Sequence, residues 1–222
     1  MTTAVAHSDN ALASCRLRPG VHGVVIRRDL VLLDTRSDSY LCLPDIGPAT
    51  LENGVLRSLR DVAAALQRDG LAGDDAGGTP DRVRPLPTLP SRACRIRHPQ
   101  PIAVREALSF TALWCALAGR RPEIGDLARR LAHRPAGSPD EVLLARRVDT
   151  FRRLMPAMPW TGACLFQSWM LLAFLNRGGL DADWVFGVRT WPFAAHCWLQ
   201  VGDLCLTDAP EALTAYHPIL AI

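Results

Sequence analysis

Cys164, His196 and Asp208 are three residues of the second half of the chain whose types and order could perform nucleophilic acyl transfer. A cysteine nucleophile needs a base that accepts the thiol proton, and that base needs a third group that orients it. Cys164 opens an apolar segment that predicts a helix. A helix N-terminus favours the thiolate and leaves backbone amides free to stabilise an oxyanion. His196 lies in an alternating strand pattern and Asp208 ends the next strand, so we predict a Cys–His–Asp catalytic triad.

The register of the predicted hairpin decides whether His196 can face Asp208. A three-residue loop, Val201-Gly202-Asp203, would place the two residues opposite each other, whereas a two-residue loop would put Asp208 beside Cys197 on the other face. The triad therefore requires the longer loop or a bulge. Cys197 itself should point away from His196, which argues against it as a partner in an acid–base pair or a metal site.

Other arrangements of these side chains are weaker. A zinc site built from Cys164, His196 and Cys205 would lack the closely spaced ligand pairs typical of zinc sites, and we predict no metal. Cys205 fits better in the core. His217 is an alternative base, but it lies in what reads as a C-terminal tail.

Composition excludes several classes of function. The chain has no lysine, which removes Schiff-base chemistry and the lysine-containing phosphate loop. Seven cysteines, an odd number without C-x-x-C spacing, indicate reduced thiols and a cytoplasmic protein. The net charge of +3 gives no argument for a nucleic-acid partner. Residues 1–10 lack a signal-peptide pattern, and the apolar run 164–175 is too short for membrane insertion.

The elements that must position these residues fall into two groups. Short β-rich runs at Val21–Ile26, Leu30–Asp34 and Tyr40–Leu43 predict three strands. A helical stripe follows, formed by Leu56, Leu59, Val62, Ala63 and Leu66. Glycines and prolines then crowd residues 73–92 and predict a linker. We expect a tail at 1–16, a first domain at 17–72 and a second domain at 93–222.

The second domain combines helices with a final group of strands. Helical patterns occur at Arg105–Leu117, Ile124–Leu131, Glu141–Leu154 and Cys164–Arg177. The last of these is apolar nearly all round, as a buried central helix would be. Strand patterns follow at Trp184–Arg189, Ala195–Val201 and Leu204–Asp208. The fold class expected is α+β.

Three segments of the second domain resemble the lasso-peptide leader peptidases, which are transglutaminase-like cysteine proteases. These segments are Trp160–Leu165, Ala195–Leu199 and Leu206–Pro210. The resemblance implies a transglutaminase-like or papain-like protease domain in which Cys164, His196 and Asp208 cut the bond between leader and core peptide. Cys197 departs from the family pattern, because the superfamily often has alanine there.

The first domain resembles the precursor-peptide recognition element, a small winged-helix-like module of three strands followed by helices. The resemblance implies that a leader peptide binds as an added β-strand against the third strand and the last helix. The residues expected to contact it are Tyr40, Leu41, Cys42, Leu43, Leu59, Val62 and Leu66.

The resemblance also implies partners. A lasso precursor peptide would be the substrate, and a separate asparagine-synthetase-like cyclase would take the core peptide. Dependence on ATP is implied by the family alone, since the sequence shows no site for a bound cofactor. Two alternatives stay open, namely an acyltransferase similar to arylamine N-acetyltransferases and a non-catalytic scaffold for a precursor peptide.

Overall fold

A computed structural model of the chain describes residues 12–73, 84–95, 99–125, 127 and 140–222. The chain divides into two compact units, Met1–Arg82 and Val83–Ile222. The division falls inside the predicted linker 73–92, of which residues 74–83 lie outside the described part. The predicted tail 1–16 is described only from residue 12, and residues 12–16 belong to a strand rather than to a tail.

The first unit contains two antiparallel sheets and one helix in its described part. One sheet has the order β2-β3-β4, and the other has the order β5-β6-β1-β7. The elements are β1 (Leu12–Leu17), β2 (Val21–Ile26), β3 (Asp29–Asp34), β4 (Ser39–Leu43), β5 (Thr50–Glu52), β6 (Val55–Leu59), α1 (Arg60–Arg68) and β7 (Ala72–Gly73).

The three predicted strands are confirmed as β2, β3 and β4, but the helical stripe after them begins too early. Leu56 and Leu59 lie in β6, where they pair with Cys15 and Leu12 of β1. Helix α1 starts only at Arg60 and is the one helix in the described part of this unit, so "three strands then helices" is wrong there. A strand of period two followed directly by a helix produced apolar spacings that imitate one longer helix.

The core of the first unit lies between its two sheets and α1. Leu30 and Leu32 of β3 are almost fully buried there, together with Leu56 of β6 and Leu66 of α1. These side chains come from both sheets and from the helix, so each sheet buries one apolar face against the other elements.

The second unit is built around a five-stranded sheet of order β12-β9-β10-β11-β8. Only the pairing of β8 with β11 is parallel. The elements are β8 (Arg92–Ala93), α2 (Val104–Leu117), α3 (Glu141–Leu154), a 3₁₀ turn (Met155–Ala157), α4 (Cys164–Arg177), β9 (Asp183–Arg189), β10 (Ala194–Val201), β11 (Leu204–Cys205), α5 (Pro210–Leu213) and β12 (His217–Ala221).

Helices α3 and α4 have the predicted bounds. The predicted helix Ile124–Leu131 lies partly outside the described residues. Two strand predictions need correction, because β11 ends at Cys205 instead of Asp208 and His217 begins a strand instead of lying in a tail. Both errors concern residues whose conformation depends on pairing partners far along the chain.

Helix α4 is the central helix of this unit. It packs against β10 of the sheet and against α2 and α3. The Phe174 ring of α4 meets Phe110 of α2 edge to face at 5.7 Å, and Phe110 meets Phe151 of α3 in the same way. Packing on several sides explains why its sequence is apolar nearly all round and holds its N-terminus in place. No helix in the described part of the chain is long and apolar enough to cross a membrane.

Candidate active site

Cys164 is the first residue of α4, and the chain that leads into it is held by hydrogen bonds. Ala163 precedes the helix in an extended conformation and offers no side-chain cap, so the first helical amides keep no capping partner from that residue. The side-chain amide of Gln167 donates to the Gly162 carbonyl at 3.1 Å, and the Trp114 indole donates to the Trp160 carbonyl at 3.0 Å. The Cys164 thiol therefore lies at the positive end of the helix dipole, and these hydrogen bonds fix the conformation of the segment that precedes it.

The β10–β11 hairpin has a two-residue loop, Gly202-Asp203, so of the two routes to the triad that the sequence left open, a longer loop or a bulge, the longer loop is excluded. Val201 pairs with Leu204 and Gln200 pairs with Cys205. That register continued would carry Asp208 to the other face of the sheet. Instead, the pairing reaches only Leu206, whose backbone N–H donates to the Leu199 carbonyl at 2.8 Å, and the chain bends from Leu206 to Asp208. This bend supplies the irregularity that the triad requires.

The bend brings Asp208 to His196. The Nε2 atom of His196 lies 3.1 Å from Oδ1 of Asp208. The Thr207 hydroxyl donates to Oδ2 of Asp208 at 2.6 Å and accepts the backbone N–H of Leu199 at 3.2 Å. Both carboxylate oxygens are thus engaged, which fixes the orientation of the carboxylate toward the imidazole.

Arg152 of α3 also stabilises the bend 206–208 by hydrogen bonds. Its guanidinium donates to the Leu206 carbonyl at 2.8 Å and to the Cys94 carbonyl at 2.6 Å. Burial acts to raise the pKa of Asp208, but the hydrogen bonds from His196 and Thr207, aided by the charge of Arg152, outweigh it and hold that pKa below its usual value.

His196 is held as a cation. Its hydrogen bond to Asp208, together with one to Cys164, raises its pKa to about 9. The imidazole also packs on the Tyr216 ring at 5.6 Å and on the Trp198 ring at 6.3 Å between centroids. These contacts limit rotation of the ring, so Nε2 stays with Asp208 while the other side of the ring serves Cys164.

Cys164 is correspondingly held as a thiolate. Hydrogen bonds from the Cys197 thiol and then from His196 lower its pKa to about 4, against the opposing effect of burial. With the His196 pKa at about 9, thiolate and imidazolium coexist across neutral pH. Such an ion pair can attack a carbonyl carbon and protonate a leaving amine.

A family model described as the transglutaminase-like superfamily matches residues 107–221. The chain belongs to this superfamily. The match runs from residue 107 within α2 to the end of β12 and therefore includes every side chain of the site described above. The chain is also similar to the microcin J25-processing protein McjB of Escherichia coli, with 34% identity over 72 residues. That stretch is 32% of this chain and 35% of McjB, so the chain spans about a third of the relative's length. No solved structure matches.

Cys197 is the residue of the transglutaminase-like domain that sequence reasoning set aside and the structure brings into the site. Strand alternation does turn its side chain away from His196, but α4 covers that face of β10, and the Ser168 hydroxyl of α4 lies 3.8 Å from the Cys197 sulfur. Cys197 is also the largest cause that lowers the pKa of Cys164. The Cys197 side chain is 3% exposed. Strand alternation predicts only the relative directions of His196 and Cys197 on β10. It does not predict which residues of a helix packed on that strand lie near them.

Cys205 and His217, the other candidate residues of this domain, take no part in the catalytic site. The Cys205 thiol is buried and accepts the backbone N–H of Asp208 at 3.4 Å, which helps to shape the bend. His217 is exposed at the start of β12. Within the described ranges, no group of three or more His, Cys, Asp or Glu side chains could hold a metal ion.

The residues of the first unit that were predicted to contact the leader peptide differ in element and in burial. Tyr40, Leu41, Cys42 and Leu43 lie on β4, one of the two edge strands of the sheet β2-β3-β4 in the described part. Leu41 and Leu43 pack against the core, and Leu66 is itself core at 1% exposure. Leu59 belongs to β6 instead of the helix, and Val62 is half-buried on α1. Leu66 is thus a packing residue and offers no contact surface.

Proposed function

We propose that the chain is a cysteine endopeptidase that hydrolyses the leader–core bond of a lasso precursor peptide. The observation that carries this proposal is the 3.1 Å contact of His196 with Asp208, next to a Cys164 that begins α4 and whose pKa is lowered by its neighbours, His196 among them. The similarity to McjB supports it, because the name of that relative describes processing of microcin J25.

In the proposed reaction, the Cys164 thiolate attacks the carbonyl carbon of the scissile bond. The free amide of Cys164 donates to the oxyanion of the tetrahedral intermediate. Collapse breaks the C–N bond, and His196 gives its proton to the departing amine of the core peptide. Asp208 stabilises the imidazolium and holds its orientation. His196 then accepts a proton from water, hydroxide attacks the thioester, and the leader leaves as a carboxylic acid with Cys164 again a thiolate.

We propose further that the first unit binds the leader at the edge of its sheet. Strand β4 pairs with β3 on one side, and an extended peptide could pair with its other side as an added strand. Leu41 and Leu43 point to the core, so Tyr40 and Cys42 are the side chains of β4 that a bound leader could contact. Leu59, the last residue of β6, and Val62, which lies in the first turn of α1 and packs partly against the core, are the further contacts in this proposal.

The proposed partners and place of action follow from the same reaction. The substrate is a lasso precursor peptide, and the freed core peptide passes to a separate asparagine-synthetase-like cyclase, where any dependence on ATP would arise. A ribosomal substrate and a reactive reduced thiol fit a cytoplasmic enzyme.

The proposal is tested with the full chain and a synthetic lasso precursor peptide that carries both leader and core. We expect wild type and Cys115→Ala, which removes an exposed thiol of α2, to release leader and core. Cys164→Ala should release neither while binding the leader with unchanged affinity. An intact precursor after incubation with wild type, or cleavage by Cys164→Ala, would overturn the proposal. Acetyl transfer from acetyl-coenzyme A to Cys164 without peptide cleavage would instead favour an acyltransferase.

A further inference from the structure

Gln200 is a fully buried polar side chain that takes no part in the proposed reaction. It lies near the end of β10, and 0% of its surface is exposed. Burial of an amide costs free energy unless its polar groups find partners, so glutamine is uncommon at such positions. The hydrogen bonds that Gln200 makes explain its presence.

The side-chain amide of Gln200 is paired at both of its polar atoms. Its nitrogen donates to the Thr88 carbonyl at 3.0 Å and to the Gly202 carbonyl at 2.8 Å. Its oxygen accepts the indole N–H of Trp198 at 2.7 Å. Because two carbonyl groups need the nitrogen on their side, the oxygen can only point to the indole. The backbone therefore fixes the amide in one orientation, and the amide fixes the indole.

The other end of the Trp198 indole lies over Gly187 of β9. An added Cβ at Gly187 would lie 2.6 Å from Cζ3 and 2.7 Å from Cη2 of the indole. The absence of a side chain at Gly187 thus provides the space that the ring occupies. Gly187 pairs with His196 across the β9–β10 ladder. The indole therefore extends from Gln200, at its N–H end, to the strand position opposite His196.

The His196 imidazole packs against this indole. The two rings are nearly parallel, at 24°, with their centroids 6.3 Å apart, and the Tyr216 ring contacts the imidazole at 5.6 Å. His196, Trp198 and Gln200 alternate along β10, so their side chains lie on one face of the sheet. A fixed indole on that face limits how far the imidazole can tilt away from Asp208.

We propose that Gln200 is a positioning residue of the active site, which fixes the Trp198 indole and thereby holds the His196 imidazole in line with Asp208. The inference rests on the proposed function in one respect, the role of His196 as acid and base. Gln200 contacts no reacting atom and acts only through Trp198.

The segment before β8 supplies the outermost member of this series. Thr88 lies inside the range 73–92 that the sequence predicts to be a linker, yet its carbonyl accepts from Gln200. The neighbouring Leu89 packs against the apolar cluster that contains Trp198. A flexible linker would provide no fixed acceptor. This part of the predicted linker therefore belongs to the second unit and supports its site.

Several charged or titratable groups influence the titration of His196. They are Asp208 after β11, Cys164 of α4, Arg152 of α3 through Asp208, Tyr216 before β12, and Arg189 of β9, whose guanidinium lies over the Tyr216 ring at 5.5 Å. Gln200 and Trp198 carry no charge. A change in either of them therefore alters the titration of His196 by moving the imidazole relative to these groups.

The test is an NMR titration of the His196 imidazole in the full chain without peptide substrate, so the result does not depend on precursor cleavage. Gln200→Met keeps the length of the side chain and removes its hydrogen bonds. The His196 midpoint should fall from about 9 by about 0.5–1 pH unit, because a loosened imidazole loses part of its bond to Asp208. Trp198→Phe removes the indole N–H and should cause a similar shift.

The double variant Gln200→Met/Trp198→Phe separates positioning from general damage to the fold. If Gln200 acts through Trp198, the second change should add almost nothing to the shift that the first change causes. Shifts that add in full would show that Gln200 affects His196 by another route, and they would overturn the inference. A His196 midpoint that is unchanged in Gln200→Met overturns it as well.

Gly187→Ala approaches the indole from its other end. It is needed because Gln200→Met leaves the buried carbonyls of Thr88 and Gly202 without their donor, which can prevent folding. The added methyl group occupies the place of the indole and should lower the His196 midpoint by a similar amount. If Gln200→Met does not fold, an unchanged midpoint in Gly187→Ala overturns the inference.

Gly23→Ala is the matched control for Gly187→Ala. Gly23 is a strand glycine of the first unit, where an added Cβ would lie 2.8 Å from side-chain atoms of Leu32 and Leu51. This variant is strained in the same way but should leave the His196 titration unchanged, and an equal shift overturns the inference. Precursor cleavage is measured separately. A set of variants that shows the expected shifts while wild type cleaves no peptide contradicts the proposed function alone.

Discussion

His196 and Asp208 lie 3.1 Å apart, from Nε2 to Oδ1, although the backbone pairing of β10 with the chain after the hairpin reaches no further than Leu206. The hairpin register by itself would separate them. The bend that follows Cys205 returns the carboxylate to the imidazole, and Arg152 and Thr207 hold that bend. The site thus depends on a short irregular segment at the end of a two-residue strand, and this dependence can be measured.

Asp208→Asn should lower the pKa of His196 from about 9 toward its ordinary value of 6.5, because the largest cause of the shift is the bond to the carboxylate. Precursor cleavage should fall by about 10² to 10⁴-fold, since the imidazole loses its orientation while the nucleophile stays. An NMR titration of His196 and single-turnover cleavage measure the two effects. The control Asp203→Asn changes an exposed carboxylate of the same hairpin and should alter neither. An unchanged His196 titration in Asp208→Asn would contradict the assignment.

The ion pair of Cys164 and His196 predicts a characteristic dependence of stability on pH. The Cys164 pKa is about 4 in the folded chain and ordinarily 9.0, so its contribution is full above pH 9 and is lost as pH falls through 4. The His196 pKa is about 9 and ordinarily 6.5, so its contribution is full below pH 6.5 and is lost as pH rises through 9. Between pH 6.5 and 9 the Cys164 contribution grows with pH while the His196 contribution shrinks, so the two changes in stability cancel.

Relative to wild type, Cys164→Ala should therefore lose stability as pH rises from about 4 to about 9, and above pH 6.5 its own stability should fall while that of wild type stays level. The difference in slope is at most about 1.4 kcal/mol per pH unit, the value for one proton. Urea unfolding followed by tryptophan fluorescence measures it, because all six tryptophans lie in the second unit. Cys115→Ala should follow wild type. Parallel curves for Cys164→Ala and wild type would show that the two groups are not coupled to folding as an ion pair.

Arg152→Met should reduce both stability and cleavage. The change leaves two carbonyl groups, those of Cys94 and Leu206, without their charged donor, at about 3 kcal/mol in unfolding free energy. Arg153→Met is the matched control, because Arg153 makes an exposed bond to the Gln100 carbonyl and a 3.5 Å pair with Asp149. Its effect should stay below about 1 kcal/mol. Equal losses for the two variants would remove Arg152 from the support of the bend.

Gly162→Ala should disturb the approach to Cys164 more than its backbone conformation alone predicts. Gly162 has a φ of +67°, and an added Cβ would lie 2.8 Å from two atoms of Phe166. Gly179 has a φ of +74° with no atom within 4 Å of an added Cβ, so Gly179→Ala measures the conformational strain alone, about 1 kcal/mol. We expect Gly162→Ala to lose about 1–2 kcal/mol more than Gly179→Ala and to slow alkylation of Cys164 at pH 7. Equal losses, with normal alkylation, would show that Phe166 moves aside freely.

The amino-acid sequence by itself determined the elements whose patterns are local. The apolar run from Cys164 to Arg177 and the helical pattern from Glu141 to Leu154 gave the limits of α4 and α3, and three short runs rich in β-branched or leucine residues gave β2, β3 and β4. Cysteine at a helix start, histidine in a strand and aspartate after the next strand were enough to select the three side chains of the site, because each placement is a property of a few adjacent residues.

The tertiary structure decided what depends on residues far apart in the chain. Pairing with β1 turned Leu56 and Leu59 into strand residues, although their spacing also fits a helix. Asp208 reaches His196 through a bend held by Arg152 from another helix. Cys197 became a neighbour of Cys164 only because α4 packs across β10. Periodicity tells which way a side chain points along its own element, whereas its partner is chosen by the packing of elements against each other.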